Sequence, residues 1–222
     1  MKTFTVIITA GGIGSRMGAT IPKQFLEISG KPLLFHTLER FHKFDPSAEI
    51  LLTLPFDWQS FWDELIQQHT FSVPHHVVNG GEQRYDSVRN AVMVAKGDFI
   101  AIHDGVRPFV SMETLQRCWD SVQKSNAVIP VLHVKDSIRR LDTGKSTAVE
   151  RSLYRLVQTP QCFSKELLVQ AYQIPYDSSI TDDASLVEKT GKEIQLVDGN
   201  EENIKITTPL DLLLAEQIAN QQ

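Results

Sequence analysis

The sequence predicts an α/β fold, a mostly parallel Rossmann-like sheet with helices on both faces and an inserted β-hairpin arm. Three observations carry that prediction. Short apolar, β-rich runs alternate with segments of helical periodicity along most of the chain. A glycine-rich loop follows the first apolar run directly. One stretch, 133–156, breaks the rhythm with two β-prone segments around a turn signal, Asp142-Thr143-Gly144-Lys145. Alternation favours a parallel sheet because each parallel connection needs a covering crossover. The length, 222 residues, suits one domain over 1–222 that carries 133–156 as an arm.

The elements follow in order. Phe4–Thr9 is apolar and β-rich. Within Leu33–Phe44, residues Leu34, Leu38 and Phe41 fall at helical spacing. Glu49–Leu54 reads as a buried strand, Trp58–His69 as a helix, and His75–Val78 as a short strand with His75 and His76 on opposite faces. Gln83–Ala95 repeats Val88, Ala91, Val92 and Ala95, a helical stripe. Phe99–His103 is a strand, Met112–Lys124 a helix and Ala127–Val131 a strand. Near the end, Thr208 is placed to cap a helix that starts at Pro209 with Asp211 in its first turn. Phe56, Trp58, Phe61 and Trp62 read as core or interface packing.

Composition excludes several function classes. There are 22 Lys and Arg against 27 Asp and Glu, a net charge of −5, which argues against a general nucleic-acid binder. No apolar run reaches the ~18 residues of a transmembrane helix. Val6-Ile7-Ile8 is too short for a signal-peptide core, so the expected location is cytoplasmic. Cys118 and Cys162 are far apart and outside any Cys-x-x-Cys pair, which leaves two buried thiols as the expectation. The histidines show no metal-ligand spacing, and His103, ending a core strand, reads as structural. The charge is also uneven. In the arm, Lys135, Arg139, Arg140, Lys145, Arg151 and Arg155 face Asp136, Asp142 and Glu150, six cations against three acids. That is +3, which leaves −8 on the rest. A lone hairpin buries little, so the arm is expected to pack against something, most simply a second copy of the chain.

The strongest local signal is Ala10-Gly11-Gly12-Ile13-Gly14-Ser15-Arg16-Met17-Gly18. Glycines let backbone N–H groups turn toward an anion. The dinucleotide fingerprint fails because its last glycine position holds Met17, and Pro22 interrupts the helix that should follow. Gly144-Lys145-Ser146 imitates the end of a phosphate-binding loop, but Arg139 stands where its first glycine belongs. There is no Gly-x-Ser-x-Gly of a serine hydrolase. What remains is a glycine loop with two cations, Arg16 and Lys23 of Pro22-Lys23-Gln24, a combination suited to a triphosphate.

This opening resembles that of nucleotidyltransferases acting on sugar and polyol phosphates. Gly80-Gly81-Glu82-Gln83-Arg84-Tyr85-Asp86-Ser87-Val88, His103-Asp104-Gly105-Val106-Arg107-Pro108, Thr159-Pro160-Gln161 with Phe163, and Asn203-Ile204-Lys205-Ile206-Thr207 narrow it further. Together the five stretches, in order along nearly the whole chain, are similar to the 2-C-methyl-D-erythritol 4-phosphate cytidylyltransferases. The sister enzymes using ribitol 5-phosphate would carry the same motifs, and a catalytically silent nucleotide-binding subunit is disfavoured because the charged residues are all present. The resemblance implies a fold of the nucleotide-diphospho-sugar transferase type and transfer of a cytidylyl group from CTP.

The same resemblance implies roles. Arg16, Lys23 and Lys205 are the expected catalytic cations, against the charge that collects on the α-phosphate. Ala10, Gly11, Gly12 and Gly14 belong to the phosphate loop, and Gly80, Gly81 and Ser87 to a cytosine pocket. Asp104, at a strand's carboxyl end, is expected to bind nucleotide through Mg²⁺. Arg107, Ser137, Arg151 and Thr181 fall on the polyol-phosphate side, with the arm reaching a twin's site in a homodimer. Departures are Thr9 in place of alanine, Gly105-Val106 in place of Ala-Ala, and Ser137 where threonine is more usual.

Overall fold

The computed structural model describes residues 2–11 and 21–221. The first half contains β1 (Phe4–Thr9), a short pair β2 (Glu27–Ile28) and β3 (Lys31–Pro32), α1 (Leu33–Phe44), β4 (Glu49–Leu54), α2 (Gln59–Gln68), β5 (His76–Asn79), α3 (Arg84–Val94) and β6 (Phe99–Asp104). The second contains α4 (Met112–Ser125), β7 (Ala127–His133), β8 (Arg139–Asp142), β9 (Lys145–Ala148), β10 (Arg155–Val157), β11 (Gln161–Ser164), α5 (Lys165–Ala171), α6 (Asp183–Glu188), β12 (Gln195–Asp198) and α7 (Pro209–Ala219).

The strands β5, β4, β1 and β6 pair in that order and all run parallel. β11 enters antiparallel between β6 and β7. β7 also takes β10 antiparallel and β12 parallel. The inner strands are apolar at consecutive positions, and their period of two divides those residues between two cores. Val6, Ile8, Leu52 and Ala101 face the core under α1, α2 and α4. Ile7, Leu51, Ile100 and Ile102 face the core under α3, α5 and α6. Helices on both faces are therefore a requirement of the strand sequences. A third, smaller cluster, with Ile28, Val106, Ile206 and Ala215, seats α7 beside the end of β6.

Helix ends agree with their local sequence. Ser111 Oγ accepts from Thr114 N at 3.1 Å to open α4, and Asn126 closes it in the left-handed region at φ 65°. Thr208 and Asp211 form a reciprocal capping box at α7, with Pro209 as its first residue. β8 and β9 pair only with each other among the described residues, and all eight of their residues are exposed. Thr143 and Gly144 both take positive φ, 38° and 82°, as a tight hairpin turn requires. His133 and residues 155–157 pair in the main sheet, so the projecting part of the arm lies between them.

Some expectations shift. β5 starts at His76, and His75 lies before it, accepting from Trp62 Nε1 at 3.0 Å. Trp62 is core, but Phe56 is 77% exposed, because Pro55 turns the chain out of the sheet just before it. Cys118 and Cys162 are buried free thiols in the core beneath α4.

Candidate active site

The site forms where the sheet changes direction of growth. β4 flanks β1 on one side and β6 on the other, so loops leaving β1 and β6 diverge and open a crevice beyond their carboxyl ends. Asp104 is the last residue of β6 and registers opposite Thr9, the last of β1. The cleft above them holds about 200 Å³. Ala10, Gly11, Lys23, Gly81, Ser87, Asp104 and Lys205, all named from the sequence, line this one cleft.

Local bonds explain how distant segments meet there. Gln24 is buried, and its Nε2 donates to the Ala10 carbonyl at 2.6 Å, tying the Lys23–Phe25 turn to the end of β1. Lys23 is thereby held at the cleft wall. Gly81 N donates to Ser87 Oγ at 3.0 Å, and that hydroxyl donates to the Gln83 carbonyl at 3.1 Å. Gln83 and Asp86 cap the start of α3 reciprocally. Gly80 packs directly behind Ser87, where a Cβ would lie 3.3 Å from the hydroxyl oxygen. Lys205 arrives from the far end of the chain because Ile206 N bonds the Val106 carbonyl at 3.0 Å and Ile206 is fully buried.

Asp104 is the electrostatic centre. Its Oδ2 lies 3.0 Å from Lys205 Nζ and 3.2 Å from Arg107 Nε, and its Oδ1 lies 3.9 Å from Arg84 Nε. Burial pushes the Asp104 carboxyl up, but Lys205, Arg84 and Arg107 together outweigh it and hold it far below the ordinary carboxylate range. Arg107 Nη1 also donates to the Asn203 carbonyl at 2.8 Å, so the arginine braces the loop that carries Lys205. Arg84 Nη2 reaches Asp183 Oδ2 at 2.6 Å, and Tyr172 donates to the other oxygen of that buried carboxylate at 2.6 Å. Burial lowers the Arg84 pKa, but Asp183 and Asp104 outweigh it, so the guanidinium stays charged. His103 is fully buried beside Asp104, and burial pulls its pKa down to about 4.

Other sequence-named residues lie elsewhere. Thr181 is exposed before α6 and borders a separate pocket of about 150 Å³ that shares Gln83 and Arg84 with the cleft. Ser137 and Arg151 are exposed on the arm, and Arg151 Nη1 donates back to the Lys135 carbonyl. Gly12, Gly14 and Arg16 lie outside the described residues.

The family model for 2-C-methyl-D-erythritol 4-phosphate cytidylyltransferase (IspD) matches residues 4–221. The chain belongs to this family. It is 50% identical over 212 residues to the 2-C-methyl-D-erythritol 4-phosphate cytidylyltransferase of Phocaeicola vulgatus, covering 95% of this chain and 97% of that protein. It is 49% identical over 215 residues to that of Bacteroides thetaiotaomicron, covering 96% and 98%. The crystal structure of the Thermus thermophilus cytidylyltransferase superposes with a TM-score of 0.78 at 33% identity, covering 99% of this chain and all of that one. A 4-diphosphocytidyl-2C-methyl-D-erythritol synthase from Anaerococcus prevotii gives 0.85 at 27% identity over 99% and 96%.

Within this cytidylyltransferase fold, Arg84, Gln24 and Asp183 are site residues that sequence reasoning does not single out. Arg84 stands inside the Gly80–Val88 motif, where the neighbouring glycines are the stronger signal. Gln24 stands in Pro22-Lys23-Gln24 and works through a backbone carbonyl, which residue type does not reveal. Asp183 becomes recognisable only when folding sets it against Arg84. Among the described residues no group of three or more His, Cys, Asp or Glu side chains gathers to hold a metal. The ion pair on Asp104 Oδ1, to Arg84 at 3.9 Å, is longer than the two on Oδ2. A cleft-lining carboxylate such as Asp104 fits Mg²⁺, which is commonly held by one or two carboxylates with phosphate oxygens and water completing its shell.

Proposed function

We propose that the chain transfers the cytidylyl group of CTP to 2-C-methyl-D-erythritol 4-phosphate, releasing pyrophosphate and 4-diphosphocytidyl-2-C-methyl-D-erythritol, in non-mevalonate isoprenoid biosynthesis. Family membership over residues 4–221 names the reaction. The observation that carries its residues is the ring of cations around Asp104 at the mouth of the β1–β6 crevice.

The reaction brings a phosphate anion onto the α-phosphorus of a polyanionic triphosphate. Repulsion is the obstacle, and fixed cations lower it more than any covalent group could. Arg16 and Lys23 hold the triphosphate and stabilise charge on the α-phosphate, and Lys205 adds a third cation. Ala10, Gly11, Gly12 and Gly14 offer backbone to the phosphates. Gly80, Gly81 and Ser87 frame the cytosine. The Ser87 hydroxyl uses its proton on Gln83 and accepts from Gly81, which leaves one lone pair for a base amino group. Asp104 would hold Mg²⁺, whose charge would draw the phosphates together and offset the build-up of negative charge.

Arg107 and Thr181 bind the polyol phosphate. Ser137 and Arg151 join them from the arm of a second copy, since the chain works as a cytoplasmic homodimer. The supporting observation is the arm's surface. Leu141, Leu153 and Leu156 are each more than half exposed, and Leu156 lines a groove of about 560 Å³ at the arm's base. The test is pyrophosphate release with CTP, Mg²⁺ and 2-C-methyl-D-erythritol 4-phosphate, with ribitol 5-phosphate in parallel. Release with the erythritol phosphate is expected. Release with ribitol 5-phosphate alone would move the chain to the sister activity, and none with either would end the reading.

A further inference from the structure

His103 has its ring inside the core, yet one of its nitrogens bonds the loop that carries the proposed site and the other bonds Thr159, which reaches the start of that loop. Nε2 lies 2.9 Å from the Arg107 carbonyl, and Nδ1 lies 3.0 Å from Thr159 Oγ1. Thr159 Oγ1 in turn accepts from the Asp104 backbone N–H at 3.2 Å. Phe41 packs edge-on against the imidazole, with ring centroids 4.8 Å apart, and fixes its plane.

For a neutral imidazole, hydrogen-bond chemistry gives every link a direction. A carbonyl only accepts, so the His103 proton sits on Nε2. Nδ1 of the neutral ring is then a lone pair, so Thr159 donates to it. The threonine oxygen is left to accept from Asp104, which it does. The chain of donors runs from the Asp104 amide to Thr159, from Thr159 to His103, and from His103 to the Arg107 carbonyl. It closes across the turn that Arg107 N makes to the Asp104 carbonyl at 3.0 Å. Neither end of the relay can reverse.

We propose that His103, as its Nε2–H tautomer and with Thr159 as the link, is a positioning residue that clamps both ends of the 104–107 turn. The clamp holds the Asp104 carboxylate and Arg107 guanidinium in mutual register. This deepens the cytidylyltransferase reading and rests on it. Neither side chain is asked to touch substrate. Their work is to hold fixed a turn whose two charged ends, 3.2 Å apart, serve the nucleotide side and the polyol-phosphate side of one site.

The test uses the full-length protein. Nitrogen-15 NMR of the imidazole should show a protonated Nε2 and a bare Nδ1 for His103 at neutral pH, with no substrate present. Thr159→Val preserves shape and removes the link. It should fold with wild-type circular dichroism, shift the His103 Nδ1 resonance, and lose about 10-fold to 100-fold in kcat, while the KM for CTP stays within about 2-fold. Thr159→Ser should restore most of kcat. A proton on Nδ1, or a folded Thr159→Val enzyme with wild-type kcat, would overturn the clamp. Wild-type protein inactive with every alcohol phosphate would instead defeat the function reading and leave the tautomer measurement standing.

Discussion

Lys23 is the residue on which the proposed chemistry depends most directly among those described. It lies on a three-residue turn held to the end of β1 by the Gln24 side chain, and the buried residues of that turn are Gln24 and Phe25. Lys23→Ala should leave the thermal transition in place and lower kcat about 100-fold or more, the usual cost of removing one preorganised charge donor. Steady-state pyrophosphate release beside a melting curve checks both halves, and normal turnover would remove Lys23 from the catalytic set. A second residue-scale expectation concerns histidine. Burial lowers the pKa of His36, His75 and His103, the last to about 4. The unfolded chain therefore binds more protons than the folded one between pH ~6.5 and ~4, so stability must fall as pH drops through that window. The urea midpoint should be lower at pH 5 than at pH 7. An unchanged midpoint would mean that these imidazoles take up protons without unfolding.

At the scale of elements, the Gly80–Val88 segment shows how a helix start builds a wall of the site. A Cβ on Gly81 would lie 2.2 Å from the Asp86 Cβ, too close for any L side chain without moving the capped start of α3. Its glycine is required by that packing, whatever the nucleotide also needs. Gly81→Ala should leave a folded protein whose KM for CTP rises about 10-fold, from an overpacking strain of roughly 1–3 kcal/mol. Titrating CTP in initial-rate assays is the check, and an unchanged KM would show that the loop does not shape the base pocket. The same scale explains what the sequence made legible. Long amphipathic runs such as α1 and α4, and apolar strands such as β1 and β4, carry their own signal in periodicity. β10, β11 and β12 are three or four residues each, too short for a period to register, and their pairing with β7 and β6 is decided by tertiary partners. Within the site, Lys23, Asp104 and Lys205 stood in motifs. Arg84 and Asp183 became a pair only because α6 packs its first turn against the start of α3.

For the whole molecule, the net charge of −5 conceals a division into an acidic body and an arm of +3. A hairpin with all eight strand residues exposed gains little stability from its own chain. Its cations and its leucines both become useful if the arm lies across a second copy, close to that copy's phosphates. This arrangement makes a prediction that neither a cis-acting arm nor a simple spacer can meet. Lys23→Ala and Arg151→Ala should each be nearly inactive as pure homodimers. Unfolded and refolded together at equal amounts, they should regain about one quarter of wild-type turnover. Half of the dimers are then hybrids. Each hybrid has one site with both defects and one with an intact body and an intact arm. An arm serving its own body would leave every hybrid site damaged, and the mixture would stay inactive. Replacing residues 137–152 with a short glycine-serine linker preserves the β7–β10 pair and should move the protein to monomer size on a calibrated column. A linker variant that elutes as a dimer would place the main subunit contact outside the arm, and the complementation assay would still report whether Arg151 acts in trans.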